Sequence, residues 1–210
     1  NDSTNRYKLA KQPDVVMLVY LLGHDGLRAQ LATLGYPFSE QDLTRTVEYY
    51  LARTANGSTL SRVVNASVLA GIDPSRSWIA FREALIADLD DSQGGTTREG
   101  IHLGAMAGTI DLPVRSFAGM ALGDDELVFA PRLPPNLTRV GFQIRYRGHL
   151  VDVMLRDRSL ELRVHAGSAP AIHVRVGAVA VPLSAGQTKT FAIGPGTSAR
   201  DATNRERGLD

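Results

Sequence analysis

The feature that most constrains this chain is a change of hydrophobic period near Gly119. Before that glycine the apolar residues recur at helical spacing; after it they alternate every second residue. A 3.6-residue period lays an apolar stripe along a helix, whereas a two-residue period gives a strand one apolar face. The two patterns do not intermingle, so an α+β fold with helices and strands segregated along the chain is implied.

The helical half opens at Pro13, a residue suited to the first helical position. The eight apolar residues 15–22 predict a first helix over 13–22 that is buried on all sides, and residues 26–34 can add a short extra helix. Ser39 with Asp42 three positions on has the form of a capping box. It predicts a second helix from Glu40, with Leu43, Val47, Tyr50 and Leu51 as its stripe. A third follows the Asn56-Gly57 turn, carries Leu60, Val63, Val64 and Val68, and stops at Gly71. Asp73-Pro74 opens a fourth, striped by Trp78, Phe81, Leu85 and Leu89. A fifth covers residues 98–117, kinked or divided by Pro113. Long helices with polar loops at alternate ends fit part of an α/α barrel. In the second half, Val140, Phe142, Ile144 and Tyr146 alternate with polar residues. Further runs follow through Val151-Val153-Leu155, Leu160-Leu162-Val164 and Ile172-Val174-Val176, predicting a small antiparallel β-sandwich. The resulting division is a helical part over 1–119, a sandwich over 120–194, and an aperiodic disordered tail over 195–210.

Composition removes several function classes. With no cysteine in 210 residues, disulfides, thiolate catalysis and cysteine metal sites are excluded. A net charge of +1, with arginines interleaved among acids, does not form the basic face a nucleic-acid binder needs. The longest apolar run is too short to span a bilayer. No signal peptide is visible at the polar start, and a cytoplasmic location is expected. His24, His149, His165 and His173 fall in loops or on outward strand positions without metal-ligand spacing, so no metal is expected. Asp88, Asp90 and Asp91 read as a solvated acidic loop.

Three polar islands could carry chemistry. Lys11-Gln12 precedes the first apolar run; on residue type alone it is a solvated helix start, although its donors and acceptor suit sugar hydroxyls. Residues 56–61 (Asn-Gly-Ser-Thr-Leu-Ser) place Gly57, which permits a positive φ, and the hydroxyls of Ser58, Thr59 and Ser61 at a helix N-terminus. That is either an ordinary serine cap or an anion cradle. In residues 96–109, Glu99 and His102 sit three apart on one expected helix face. His102 is placed to donate to an oxyanion, while Glu99 beside Arg98 reads as a capping carboxylate rather than a general base.

Taken in order, the three islands resemble glycoside hydrolase family 65, which holds inverting phosphorylases of maltose, trehalose and kojibiose and some related hydrolases. The resemblance runs from about residue 6 to about residue 152 and more weakly to 193. It implies that the helices are part of an (α/α)6 barrel, that Lys11 and Gln12 contact the sugar or the phosphate, and that Gly57, Ser58 and Thr59 belong to the phosphate loop. It implies further that His102 helps hold phosphate. Asn56 and Asn65 depart from the family's histidines. The proline-rich segment 131–135 and Tyr146-Arg147-Gly148 match the family's barrel-to-sandwich junction and are architectural.

The family's catalytic glutamate is expected upstream of residue 1, so no catalytic residue is assigned within the chain, and the chain alone is expected not to turn over. No cofactor is implied; inorganic phosphate is the co-substrate, a disaccharide the other partner, and a homodimer the expected assembly. An inverting hydrolase needs a second carboxylate to activate water. A phosphorylase needs only to hold an anionic nucleophile in line, and residues 56–61 contain no acid. The expected reaction is therefore phosphorolysis of an α-glucosidic disaccharide to β-glucose 1-phosphate and a sugar. The alternatives are hydrolysis on the same scaffold, or a non-catalytic sugar-binding or structural piece.

Overall fold

A computed structural model describes residues 4–92 and 94–194. The chain divides into two compact units, the first ending at Leu112 and the second beginning at Pro113. The first is helical: α1 (Thr4–Tyr7), α2 (Asp14–Thr33), α3 (Glu40–Leu51), α4 (Thr59–Leu69), α5 (Pro74–Leu85), a 3-10 turn (Thr96–Glu99) and α6 (Leu103–Leu112). No helix of the described residues is long and apolar enough to cross a membrane.

Capping chemistry sets the helix starts. Ser39 Oγ accepts the Asp42 N–H at 3.1 Å, and the Asp42 carboxylate accepts the Ser39 N–H at 3.0 Å, so α3 begins with a reciprocal capping box. Asp73 Oδ1 accepts from the N–H groups of Ser75 and Arg76 and starts α5 with Pro74 in its first turn. Helix α4 is the hub: Val64 and Val68 join Val16, Val19, Leu27, Leu43 and Val47 in one core, while Val63 packs with Ala84 and Ala105 in another.

Several helix faces differ from expectation. Helix α2 is longer than 13–22 and absorbs the extra segment, because Gly23 bends it (φ 70°, ψ 169°) instead of ending it. Of its apolar run only Val16 and Val19 are buried; Leu18, Leu21 and Leu22 are exposed, since α2 meets its neighbours along one face. Leu60, Leu85 and Leu89 are also exposed. Phe81 of the expected stripe is buried, but its companions on the buried face of α5 are Ser77 and Ala84; at Ser77 the approach of α4 is close, its Oγ donating to the Ala66 carbonyl at 2.6 Å. The fifth expected helix begins at Leu103, not 98. Gly100, at φ 139° and ψ 159°, breaks the chain there, so Glu99 and His102 do not share a helix face. Pro113 does divide it, leaving a π-turn over Pro113–Phe117.

The second unit is a two-sheet sandwich. One sheet has the order β1 (Met120–Leu122), β2 (Glu126–Phe129), β6 (Ile172–Val176), β7 (Val179–Leu183). The other runs β3 (Arg139–Tyr146), β4 (His149–Arg156), β5 (Ser159–Val164), β8 (Thr188–Ala192). All neighbours are antiparallel except β2 and β6, which pair in parallel. The inward residues Val151, Val153, Leu155, Leu160, Leu162, Val164, Ile172 and Val174 are buried, as their alternation predicts. His149 is a correction. It shares the inward face with Val151, is buried, and its Nε2 lies 2.8 Å from the Pro170 carbonyl. The expected tail over 195–210 lies outside the described residues.

Candidate functional site

All the predicted site residues belong to the helical unit, and α4 organises them. The segment before α2 is tied to the loop before α4 by a short parallel bridge. Ala10 donates to the Arg53 carbonyl and accepts from the Ala55 N–H, both at 2.9 Å. Lys11 and Gln12 are thereby held, exposed, beside the strand of chain that leads into Asn56.

The positive φ expected at Gly57 falls on Asn56 instead (φ 50°), a conformation asparagine tolerates. Ser58 is the N-cap of α4, its Oγ accepting the Leu60 N–H at 3.2 Å. The capping role is thus real, and the hydroxyl proton stays available to a ligand. Thr59 is buried and does not present its hydroxyl to solvent. On the inner face of the same helix, Ser61 Oγ and Asn65 Oδ1 are buried without a hydrogen-bond partner among the described residues. Asn65 Nδ2 donates to Asn56 Oδ1 at 3.1 Å, which joins the helix to the loop.

Helix directions bring His102 to the same end. Ser77 at the start of α5 bonds Ala66 late in α4, whereas Arg62 early in α4 donates to Ser92 beyond α5 at 2.8 Å. The two helices are therefore antiparallel. Asp88, just past α5, bonds His102 at the start of α6, so α6 runs back parallel to α4. Gly108 of α6 lies directly against Val63 of α4. Ser58 precedes Val63 by five residues and His102 precedes Gly108 by six, so at 1.5 Å per residue both tips stand about 8–9 Å along from that contact. Two parallel helix N-termini, each favouring negative charge, thus end at one level.

Sequence reasoning missed Asp88. Far from being solvated loop, its side chain is only 7% exposed and faces the His102 ring, itself 30% exposed. The hydrogen bond from that ring, followed by those from the His102 backbone and Thr97, holds the Asp88 carboxyl below the usual carboxylate range against the opposing effect of burial. Asp91 is likewise engaged, accepting the Thr97 N–H at 3.2 Å. Fourteen residues separate Asp88 from His102, and no spacing rule joins them.

Helices with hydroxyl-rich ends on one side, followed by a β-sandwich, define a carbohydrate-active class of protein when set beside known sequences. Residues 1–111 match the profile of the glycosyl hydrolase family 65 central catalytic domain, and residues 120–178 match the family's C-terminal domain. The chain belongs to glycosyl hydrolase family 65, and its α+β fold is a set of barrel helices followed by the C-terminal sandwich. It is 46% identical over 187 residues to an uncharacterized glycosyl hydrolase of Mycobacterium tuberculosis, covering 89% of this chain and 14% of that protein. It is 36% identical over 167 residues to the trehalose 6-phosphate phosphorylase of Lactococcus lactis, covering 78% of this chain and 22% of the relative. A solved structure described as a candidate kojibiose phosphorylase from human microbiome superposes with a TM-score of 0.72 at 23% identity, over 89% of this chain and 25% of that one. The chain thus spans only a minor part of the length of the curated relatives it matches.

Proposed function

We propose that this chain is part of an inverting phosphorylase that splits an α-glucosidic disaccharide with inorganic phosphate, giving β-glucose 1-phosphate and a free sugar. The observation that carries the reading is the N-terminal end of α4. It combines the Ser58 hydroxyl, the Asn56–Asn65 amide pair and a helix N-terminus, with no carboxylate between residues 56 and 61. Donors without an acid suit a nucleophile that already carries negative charge and must only be held in line. Water would need a base there. In this reading Gly57 and Ser58 receive phosphate, Thr59 supports them from within, and His102 meets the same anion from the neighbouring helix. Lys11 and Gln12 face the sugar. The general acid comes from chain beyond these residues, and a cytoplasmic location suits a phosphate-dependent reaction.

A second reading, hydrolysis, is favoured by one observation: Asn56 and Asn65 are neutral amides, which attract an anion less than a charged group would. The test is disaccharide cleavage by the whole protein with and without phosphate. Phosphorolysis predicts glucose 1-phosphate and dependence on phosphate, with Ser58→Ala or His102→Ala costing about 100-fold in rate at limiting phosphate. Equal cleavage in phosphate-free buffer would overturn it in favour of hydrolysis.

A further inference from the structure

Asp88 gathers three donors from the segment that carries His102. Its Oδ1 lies 2.5 Å from His102 Nδ1 and 3.3 Å from the Thr97 hydroxyl, and its Oδ2 accepts the His102 backbone N–H at 2.9 Å. One carboxylate therefore grips both the backbone and the ring of the same residue. Nδ1 is the ring nitrogen nearer the main chain, so the backbone bond itself dictates which nitrogen meets the carboxylate. On the other side of the ring, Nε2 has the Thr96 hydroxyl 3.4 Å away.

We propose that Asp88 is the positioning residue of His102, holding Nδ1 as the protonated nitrogen and turning Nε2 outward, beside the Thr96 hydroxyl, toward an oxygen of the ligand. A carboxylate that only accepts must be met by a ring N–H. With that proton committed at Nδ1, the neutral ring offers Nε2 as a lone pair. It then accepts from an oxygen that carries hydrogen, such as the P–OH of hydrogen phosphate. Donation from Nε2 to a bare phosphate oxygen requires the doubly protonated ring. The donor role expected from sequence is thereby reassigned: the N–H of the neutral ring is turned inward to Asp88. The identity of the ligand rests on the phosphate reading above; the state of the ring does not.

Two measurements keep these apart. Imidazole 15N spectra of the chain, with His102 assigned among five histidines by His102→Gln, should show Nδ1 protonated, and Asp88→Asn should shift the neutral ring toward the Nε2–H tautomer. A dominant Nε2–H tautomer in the unaltered chain, or a ring indifferent to Asp88→Asn, overturns the proposal. Calorimetric titration of inorganic phosphate into the whole protein should show Asp88→Asn weakening binding about tenfold, as loss of an orienting partner does, with exposed Asp90→Asn as the unchanged control. Unaltered phosphate affinity in Asp88→Asn also overturns the proposal. If the unaltered protein fails to bind phosphate, the ligand assignment falls and the ring spectra alone decide the role of Asp88.

Discussion

Gly108 is where the relative placement of the two helix tips is most exposed to test. A Cβ built on it would lie 2.5 Å from Val63 Cγ1, 3.1 Å from Cγ2 and 3.3 Å from Cβ. Carbon atoms pack favourably at about 3.5–4.0 Å, so Gly108→Ala demands roughly 1 Å of movement. Val63 is 0% exposed and, being β-branched in a helix, has essentially one rotamer, so rotation offers no relief. The helices must part or the backbone must shift, at a cost of about 1–3 kcal/mol. Replacing a mid-helix glycine by alanine returns about 1 kcal/mol of helix propensity. The net expectation is a destabilisation of up to about 2 kcal/mol. Gly104→Ala, in the same helix with nothing within 4 Å of the added carbon, should instead be neutral or stabilising by up to about 1 kcal/mol. The chain's one tryptophan is Trp78 on α5, so urea unfolding followed by its fluorescence reports on the helical unit alone. Val63→Ala added to Gly108→Ala should be less damaging than the two single effects summed, because it removes the methyl groups that clash. A Gly108→Ala midpoint at or above that of the unaltered chain, or strict additivity in the cycle, would refute the reasoning.

Two other outcomes follow from the sandwich. Gly119 has φ 61°, and a Cβ there would lie 2.0 Å from the backbone carbonyl oxygen of Ala130, whose N–H donates to the Gly119 carbonyl at 3.0 Å. Gly119→Ala should cost more than about 2 kcal/mol, visible as an early loss of β-sheet circular dichroism; an unchanged melting curve would contradict it. The Asp152 carboxyl is held below its ordinary value first by the Gln143 side chain at 2.6 Å and then by His165 at 2.7 Å. A group whose folded pKa is depressed stabilises the fold above its unfolded value and ceases to do so as pH falls through the folded one. Sandwich stability should therefore decline on acidification below about pH 4, and Asp152→Asn should flatten that decline.

How much of this was legible depended on whether the deciding interaction was local. Caps were: Ser39 with Asp42, and Asp73 with Pro74, satisfy helix-end donors within three residues, so residue types and spacing suffice. Strand faces were too, except at His149, where a polar residue type pointed outward although its place in register with Val151 and Val153 puts it on the inward face. The buried face of α5 was legible only at Phe81. Large apolar residues dominate a stripe read from sequence, yet the buried face also takes Ser77 and Ala84 and leaves Leu85 and Leu89 outside. Asp88 was invisible for a stronger reason, since only the folded return of α6 puts a loop carboxylate against an imidazole. Lys11 and the α4 loop were recognisable as polar islands, but the Ala10–Thr54 bridge that unites them is backbone pairing without a side-chain signature.

What places the candidate site is accordingly the packing beneath it more than the side chains at its tip. Between α4, α5 and α6 many of the buried residues are small, among them Ala66, Ser77, Ala84, Ala105 and Gly108, with Val63 and Phe81 as bulkier ones. Small residues let helix axes approach until backbones nearly touch, and at such distances even a methyl group of movement is resisted. The tips therefore inherit a fixed separation and direction from the layer below. Polar identity at the tip is freer. An amide pair at Asn56 and Asn65 keeps the loop and the helix joined through one hydrogen bond, whatever charge the ligand carries. Asp88 is the exception among the tip residues: it sets the proton arrangement of His102 through two bonds to that residue, with a third to Thr97. Substitution at the loop amides should thus tune affinity by degrees, whereas substitution at Gly108 alters the geometry and substitution at Asp88 alters the chemistry.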